Sequence, residues 1–120
     1  MKQLFNFFFF FITITAFSQQ VAILKYNGGG DWYANPTALP NLIEFTNTNC
    51  KTNISKTPQT VIASDEAIFN YPIIFLTGHG NVFFSDEETE NLKNYLTSGG
   101  FLHISDNYGM DKFLRPQMKL

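Results

Sequence analysis

The chain has 120 residues, 44% of them hydrophobic and 17% aromatic, a net charge of −2 and one cysteine. No basic cluster meets a phosphate backbone, so nucleic acid is excluded as a partner, and no Lys/Arg-rich amphipathic helix suits a membrane surface. A lone Cys50 cannot close an internal disulfide. No activating context surrounds it, so it reads as a small buried apolar residue and not as a catalytic thiol.

The N-terminus opens with Lys2 and an apolar run from Phe5 to Phe17. Ala16 and Ser18 put small residues at the two positions a signal peptidase reads, with cleavage before Gln19. Residues 1–18 are therefore expected to be a signal peptide, and the protein to be exported, periplasmic or secreted. The run falls short of the roughly 20 residues that span a bilayer, so no membrane span is expected after cleavage. Many of the 14 phenylalanines leave with this leader. Residues 19–120 are then one small domain. Its last segment, Phe113 to Leu120, reads as the start of another element, so the expected domain is incomplete at the C-terminus.

Val21 to Leu24 are apolar at successive positions, which suits a strand covered on both faces. After Gly28-Gly29-Gly30, either Asn35 or Thr37 can cap a helix with Pro36 in its first turn. Leu39, Leu42, Ile43 and Thr46 then share one helical face. Asn47 to Ser64 is polar and reads as irregular; Asn53–Ser55 and Thr60–Ile62 compete as a short strand. Asp65 to Asn70 suits one helical turn. Pro72 to Thr77 is the clearest strand, with its proline at the first position, where a missing N–H costs least. Ser85-Asp86-Glu87-Glu88 is a capping box, Leu92, Tyr95 and Leu96 form the stripe behind it, and Gly99-Gly100 end that helix. Phe101 to Ser105 is a last strand. Strands alternating with helices predict an α/β fold with a mainly parallel sheet and helices on both faces.

In such a sheet the loops after the strands line a crevice. Three are legible: Asn27–Tyr33, Thr77–Asn81 and Ser105–Gly109. They gather Gly30, Asp31, Trp32, Tyr33, Gly78, His79, Gly80, Asn81, Asp106, Asn107 and Tyr108 on one rim. Gly28–Gly30 match neither a dinucleotide fingerprint nor a Walker loop, so a tight turn competes with phosphate binding. His79 stands between two glycines at a strand end, exposed for a functional role or used to pack its loop. His103, inside a strand, reads as a satisfied interior residue. Asp106 suits a base, a metal ligand or an Asx-turn former. Trp32, Tyr33 and Tyr108 offer a stacking surface or merely cover the sheet edge. His79, Asp106 and Asp31 lack any metal-site spacing, so no metal or other cofactor is expected. Ser105, His79 and Asp31 would make a triad on paper, but Ser105 lacks the G-x-S-x-G elbow.

Three segments carry a resemblance: Gly29–Tyr33, Tyr71–Gly80 and Ser98–Gly109. Together they resemble the bacterial family called domain of unknown function 4159, itself similar to the class I glutamine amidotransferase-like superfamily. The resemblance implies a flavodoxin-like three-layer sandwich, in a family domain that usually runs beyond residue 120. It implies no thiol chemistry. The superfamily's nucleophile elbow falls at Asp106-Asn107-Tyr108, which holds no cysteine, while Thr77–Asn81 occupy the place of its glycine-rich oxyanion loop. The expected function is a non-catalytic ligand-binding or scaffolding module of the cell envelope. The alternative is a hydrolase acting on envelope carbohydrate or peptide, with His79 as base and Asp106 as its orienter. The expected partner is an unknown small molecule, a carbohydrate or an envelope protein.

Overall fold

The computed structural model describes residues 19–111. The expected signal peptide and the segment from Phe113 onward lie outside them. The described chain runs β1 (Val21–Lys25), α1 (Ala38–Cys50), β2 (Gln59–Ile62), a 3-10 turn (Glu66–Asn70), β3 (Ile73–His79), α2 (Asp86–Thr97) and β4 (Phe101–Tyr108). The strands form one sheet in the order β2-β1-β3-β4, and every pairing is parallel. This is the α/β architecture expected, consistent with a flavodoxin-like sandwich.

Strand alternation sends successive side chains to opposite faces, so an unbroken apolar run feeds two cores at once. Ala22, Leu24, Ile74 and Leu76 join Ile68, Leu92, Tyr95 and Met110 in the larger cluster, on the α2 side. Val21 packs with Leu39 and Ile43 of α1 on the other side, flanked by Ile23, Ile73 and Phe75. Leu24, Ile68, Ile74, Leu76 and Met110 are fully buried. Each such side chain contributes about 1.5–3 kcal/mol by leaving water.

Helix α1 runs further than its sequence suggests. The Thr37 N-cap makes no side-chain hydrogen bond, and Asn35 instead sits at φ +56° and donates from Nδ2 to Thr77 Oγ1 at 3.4 Å. Only Leu39 and Ile43 of the expected stripe are buried, and Leu42 is exposed. The polar tail from Asn47 to Cys50 continues the helix. Asn49 Nδ2 donates to the Phe45 carbonyl and Thr46 Oγ1 to the Leu42 carbonyl, both at 2.8 Å. Polar side chains that bond back along the helix need no apolar stripe to stay on it. Cys50 ends this turn and is exposed, not buried. Asn47 then holds the connection: its Oδ1 accepts the Ile54 N–H at 2.9 Å and the Thr52 hydroxyl at 2.8 Å. Of the two candidate strands, Thr60–Ile62 lies in β2, whereas Ile54 makes only an isolated bridge to Gln19.

Helix α2 starts as its capping box predicts. Ser85 Oγ accepts the Glu88 N–H at 3.2 Å, and Glu88 Oε2 accepts the Ser85 N–H at 2.8 Å. Leu92 and Tyr95 are buried, while Leu96 stays exposed. After Gly99 at φ +98° the chain turns at Gly100, where any side chain would collide with the Tyr95 ring. The Tyr95 hydroxyl in turn donates to the Tyr71 carbonyl at 2.8 Å. Ser85→Ala removes one half of the box and leaves the Glu88 N–H without its acceptor. The variant is expected to lose about 1 kcal/mol. Thermal unfolding followed by circular dichroism checks this as a fall in Tm of roughly 4–8 °C.

Candidate functional site

Parallel strands deliver the ends of β1, β3 and β4 to one edge, and backbone hydrogen bonds then stitch their loops together. Gly30 N donates to Asn81 O at 3.1 Å, Asp31 N to His79 O at 3.3 Å and Phe83 N to Asn27 O at 2.7 Å. Gly80 N donates to Tyr108 O at 3.0 Å, which brings in β4. The glycines permit this closeness. A Cβ on Gly30 would lie 2.7 Å from both the Asn81 carbonyl and the Tyr26 ring. Gly78 is buried at φ +143°, and its Cβ would run into the Tyr26 hydroxyl and the Asp31 carbonyl. With the Gly30 N–H already spent on Asn81, the glycine run works as a turn against a neighbouring loop, the first of the two uses its sequence allows.

One carboxylate locks the rim. Asp31 Oδ1 accepts the backbone N–H of His79, and Asp31 Oδ2 accepts from His79 Nδ1 at 2.9 Å. A carboxylate can only accept, so Nδ1 carries the hydrogen, and in the neutral ring Nε2 is the acceptor. The His79 side chain is 55% exposed, so the imidazole stands open to solvent while its orientation is fixed from behind. The Asp31 carboxyl is held below its ordinary value of 3.8, first by the His79 backbone N–H and then by the His79 side chain. Beneath the pair lies Tyr26, whose hydroxyl donates to the Thr77 carbonyl at 3.1 Å. Its pKa is raised by burial and then by the negative charges of Asp31 and Asp106.

Of the three roles its sequence allows, Asp106 takes that of the turn former. Its Oδ1 accepts the Met110 N–H at 3.3 Å, so it forms the turn after β4. Asp31 supplies the carboxylate that orients His79. Strand β4 also runs through Asp106-Asn107-Tyr108, where the sequence suggests a loop. The register jumps there: Gly78 pairs with Asp106 but His79 with Tyr108. Asn107 is thus the extra residue of a bulge, and its Nδ2 is buried without a hydrogen-bond partner. Tyr108 is 82% and Tyr33 65% exposed. Trp32 is anchored against the larger core and meets Tyr33 edge-on, with ring centroids 5.6 Å apart. The aromatic trio therefore divides into one ring that packs and two that face solvent.

Two further residues fall elsewhere. His103 is exposed, with its ring 5.0 Å from that of Phe75. It is not an interior histidine: among the described residues β4 is the edge strand of the sheet, and α1 packs over β1 instead. Ser105, with Thr77 and His103, lines a groove on the α1 face. Among the described residues no cluster of three or more His, Cys, Asp or Glu could hold a metal ion. No described helix is long and apolar enough to cross a membrane.

Fold and rim together define an α/β domain with an all-parallel sheet and an aspartate–histidine pair at its carboxyl edge. The chain belongs to the family described as Domain of unknown function (DUF4159), whose pattern matches residues 20–120. Comparison with curated proteins finds no match.

Because folding depresses the Asp31 pKa, the charged carboxylate contributes stability that is fully present above pH 3.8 and is lost as pH falls through the lower folded value. Asp31→Asn is expected to speed hydrogen exchange at the His79 amide severalfold at neutral pH, with little change in the α2 core. The gap between variant and native protein should close as the buffer is acidified through that window.

Proposed function

We propose that this protein is an exported ligand-binding module of the bacterial cell envelope, and that the rim around His79 is its binding surface. The Asp31–His79 lock carries the reading. Both oxygens of one carboxylate are committed to a single residue, which fixes a solvent-facing imidazole on a scaffold of bonded loops. Pre-orienting a polar group before the ligand arrives lowers the cost of binding. Tyr108, register partner of His79, adds an exposed ring to the same rim, and an aromatic face beside a fixed hydrogen-bonding group suits a hydroxylated or amide-bearing ligand. Cell-wall disaccharide-peptide fragments have this chemistry and share the proposed compartment.

Export rests on the leader read over residues 1–18. Expression of the full chain in a Gram-negative host is expected to yield periplasmic protein that begins at residue 19, as read by intact mass. Cytoplasmic protein retaining Met1 to Ser18 would overturn the proposal of export.

Binding is tested by titrating soluble disaccharide-peptide fragments into 15N-labelled protein. Shifts are expected at the amides of Gly30, His79, Gly80 and Tyr108, with at least tenfold weaker binding in His79→Ala and Tyr108→Ala. A rim unmoved by every fragment would sink this assignment.

One observation favours a second reading. A histidine whose Nδ1 is held by a carboxylate is the base half of a hydrolytic apparatus. In that case His79 Nε2 would take the proton from the attacking water while Asp31, not Asp106, steadies the imidazolium. The kinship proposed with the amidotransferase-like superfamily does not extend to its thiol chemistry, since Asp106-Asn107-Tyr108 contains no nucleophilic sulfur. Mass spectra of the titrated fragments separate the readings: cleavage that disappears in His79→Ala supports the enzyme, and intact fragments support the binding module.

A further inference from the structure

The Asp31–His79 pair fixes more than the direction of a ring. Three hydrogen bonds join the two residues. The His79 amide donates to Asp31 Oδ1, and His79 Nδ1 donates to Asp31 Oδ2 at 2.9 Å. The Asp31 amide donates in return to the His79 carbonyl at 3.3 Å. Amide, carbonyl and Nδ1 of His79 are thus all committed to one partner. Nε2 is the polar atom of the residue left over, on a side chain that is 55% exposed.

A free surface imidazole carries its hydrogen on either nitrogen, so it offers a donor or an acceptor to whatever approaches. Here that choice is withdrawn. An ionised carboxylate has no hydrogen to give, so it bonds to the ring only when Nδ1 holds the hydrogen. The neutral ring then turns a bare lone pair outward at Nε2. Flipping the ring would break the bond to Oδ2 while Oδ1 stays tied to the His79 amide. Which nitrogen of a histidine is free is decided by the bond the other one makes, and Asp31 decides it. Neighbouring donors do not compete for an incoming acceptor. The Gly30 and Gly80 amides are spent on the Asn81 and Tyr108 carbonyls, and the Tyr26 hydroxyl on the Thr77 carbonyl.

We propose that Asp31 is the specificity-determining residue of the rim. By holding His79 with its hydrogen on Nδ1, it selects ligands that present a donor, a sugar hydroxyl or an amide N–H. Groups that offer only acceptors are rejected. An ether or ester oxygen at Nε2 sets lone pair against lone pair and gives back no bond for the water it displaces. This deepens the binding reading above and rests on it.

The first measurement needs no ligand: the 15N shifts of the His79 ring in mildly alkaline buffer. Expected is hydrogen on Nδ1 in the native protein. Asp31→Asn, whose carboxamide both donates and accepts, should show a mixture of the two forms. The disaccharide-peptide fragments are then titrated beside the same fragments methylated at every hydroxyl and amide nitrogen. Native protein should prefer the unmethylated form about tenfold, near the upper worth of one neutral hydrogen bond. His79→Ala retains any penalty from methyl bulk, so a severalfold fall of that preference in this variant isolates the bond to Nε2. Asp31→Asn should show the same fall. Hydrogen resident on Nε2 of the native ring overturns the proposal. So does a preference that is equal in the native, His79→Ala and Asp31→Asn proteins. Native protein that binds neither form, with its hydrogen on Nδ1 as expected, overturns the rim as a binding surface and the selectivity with it.

Discussion

Everything functional in this fold depends on β1 and β3 lying side by side and running the same way. Leaving β1, the chain travels over one face through α1 to reach β2 on one flank. Leaving β3, it travels over the other face through α2 to reach β4 on the opposite flank. The connections diverge at the seam between the two central strands, and right-handed crossovers make that divergence obligatory. An open sheet presents its crevice at such a seam. Here the two loops do not part freely. They are drawn together by backbone bonds and by the Asp31 carboxylate, so the seam is held narrow with an imidazole at its lip.

The same geometry explains why the loops are glycine-rich. Gly30 and Gly78 pack against Tyr26, whose ring and hydroxyl fill the space beneath the rim. Tyr26 is a core residue at its ring and a polar one at its tip. It sits under two carboxylates without bonding to either, and its hydroxyl is spent on a backbone carbonyl. The rim is thus a set of close contacts between main chain and one buried phenol. Outward from it stand the exposed rings of Tyr33 and Tyr108 and the imidazole that Asp31 holds.

Much of this was legible in the sequence wherever local chemistry decides the outcome. The capping box at Ser85 and Glu88, the apolar runs of β1 and β3 and the glycine stop after α2 are all short-range signals, and each element lies where those signals place it. The rim residues were legible as well, because parallel strands put their carboxyl ends together without need of a contact map. What the sequence could not show was pairing across the rim. Asp31 and Asp106 are both carboxylates beside a strand end, and nothing in their spacing says which meets His79; a bulge at Asn107 and a turn closing on Met110 decide it. The exposure of His103 and Cys50 also escaped notice, since strand order and helix length settle burial there. The tail of α1 shows the converse failure, in which asparagines and threonines that look like loop residues bond back to the helix and prolong it.

The two faces of the sheet are unequally fastened. On the α2 side the 3-10 turn, the helix and the residue that follows β4 all share one apolar cluster, and a tyrosine hydroxyl ties helix to backbone. On the other side α1 rests on two buried side chains and has no side-chain cap at its start. Among the described residues α1 is therefore the less firmly fastened layer, and local opening is expected to start there and not on the α2 side. A loosening of α1 would leave in place the backbone bonds that hold the seam where the histidine sits.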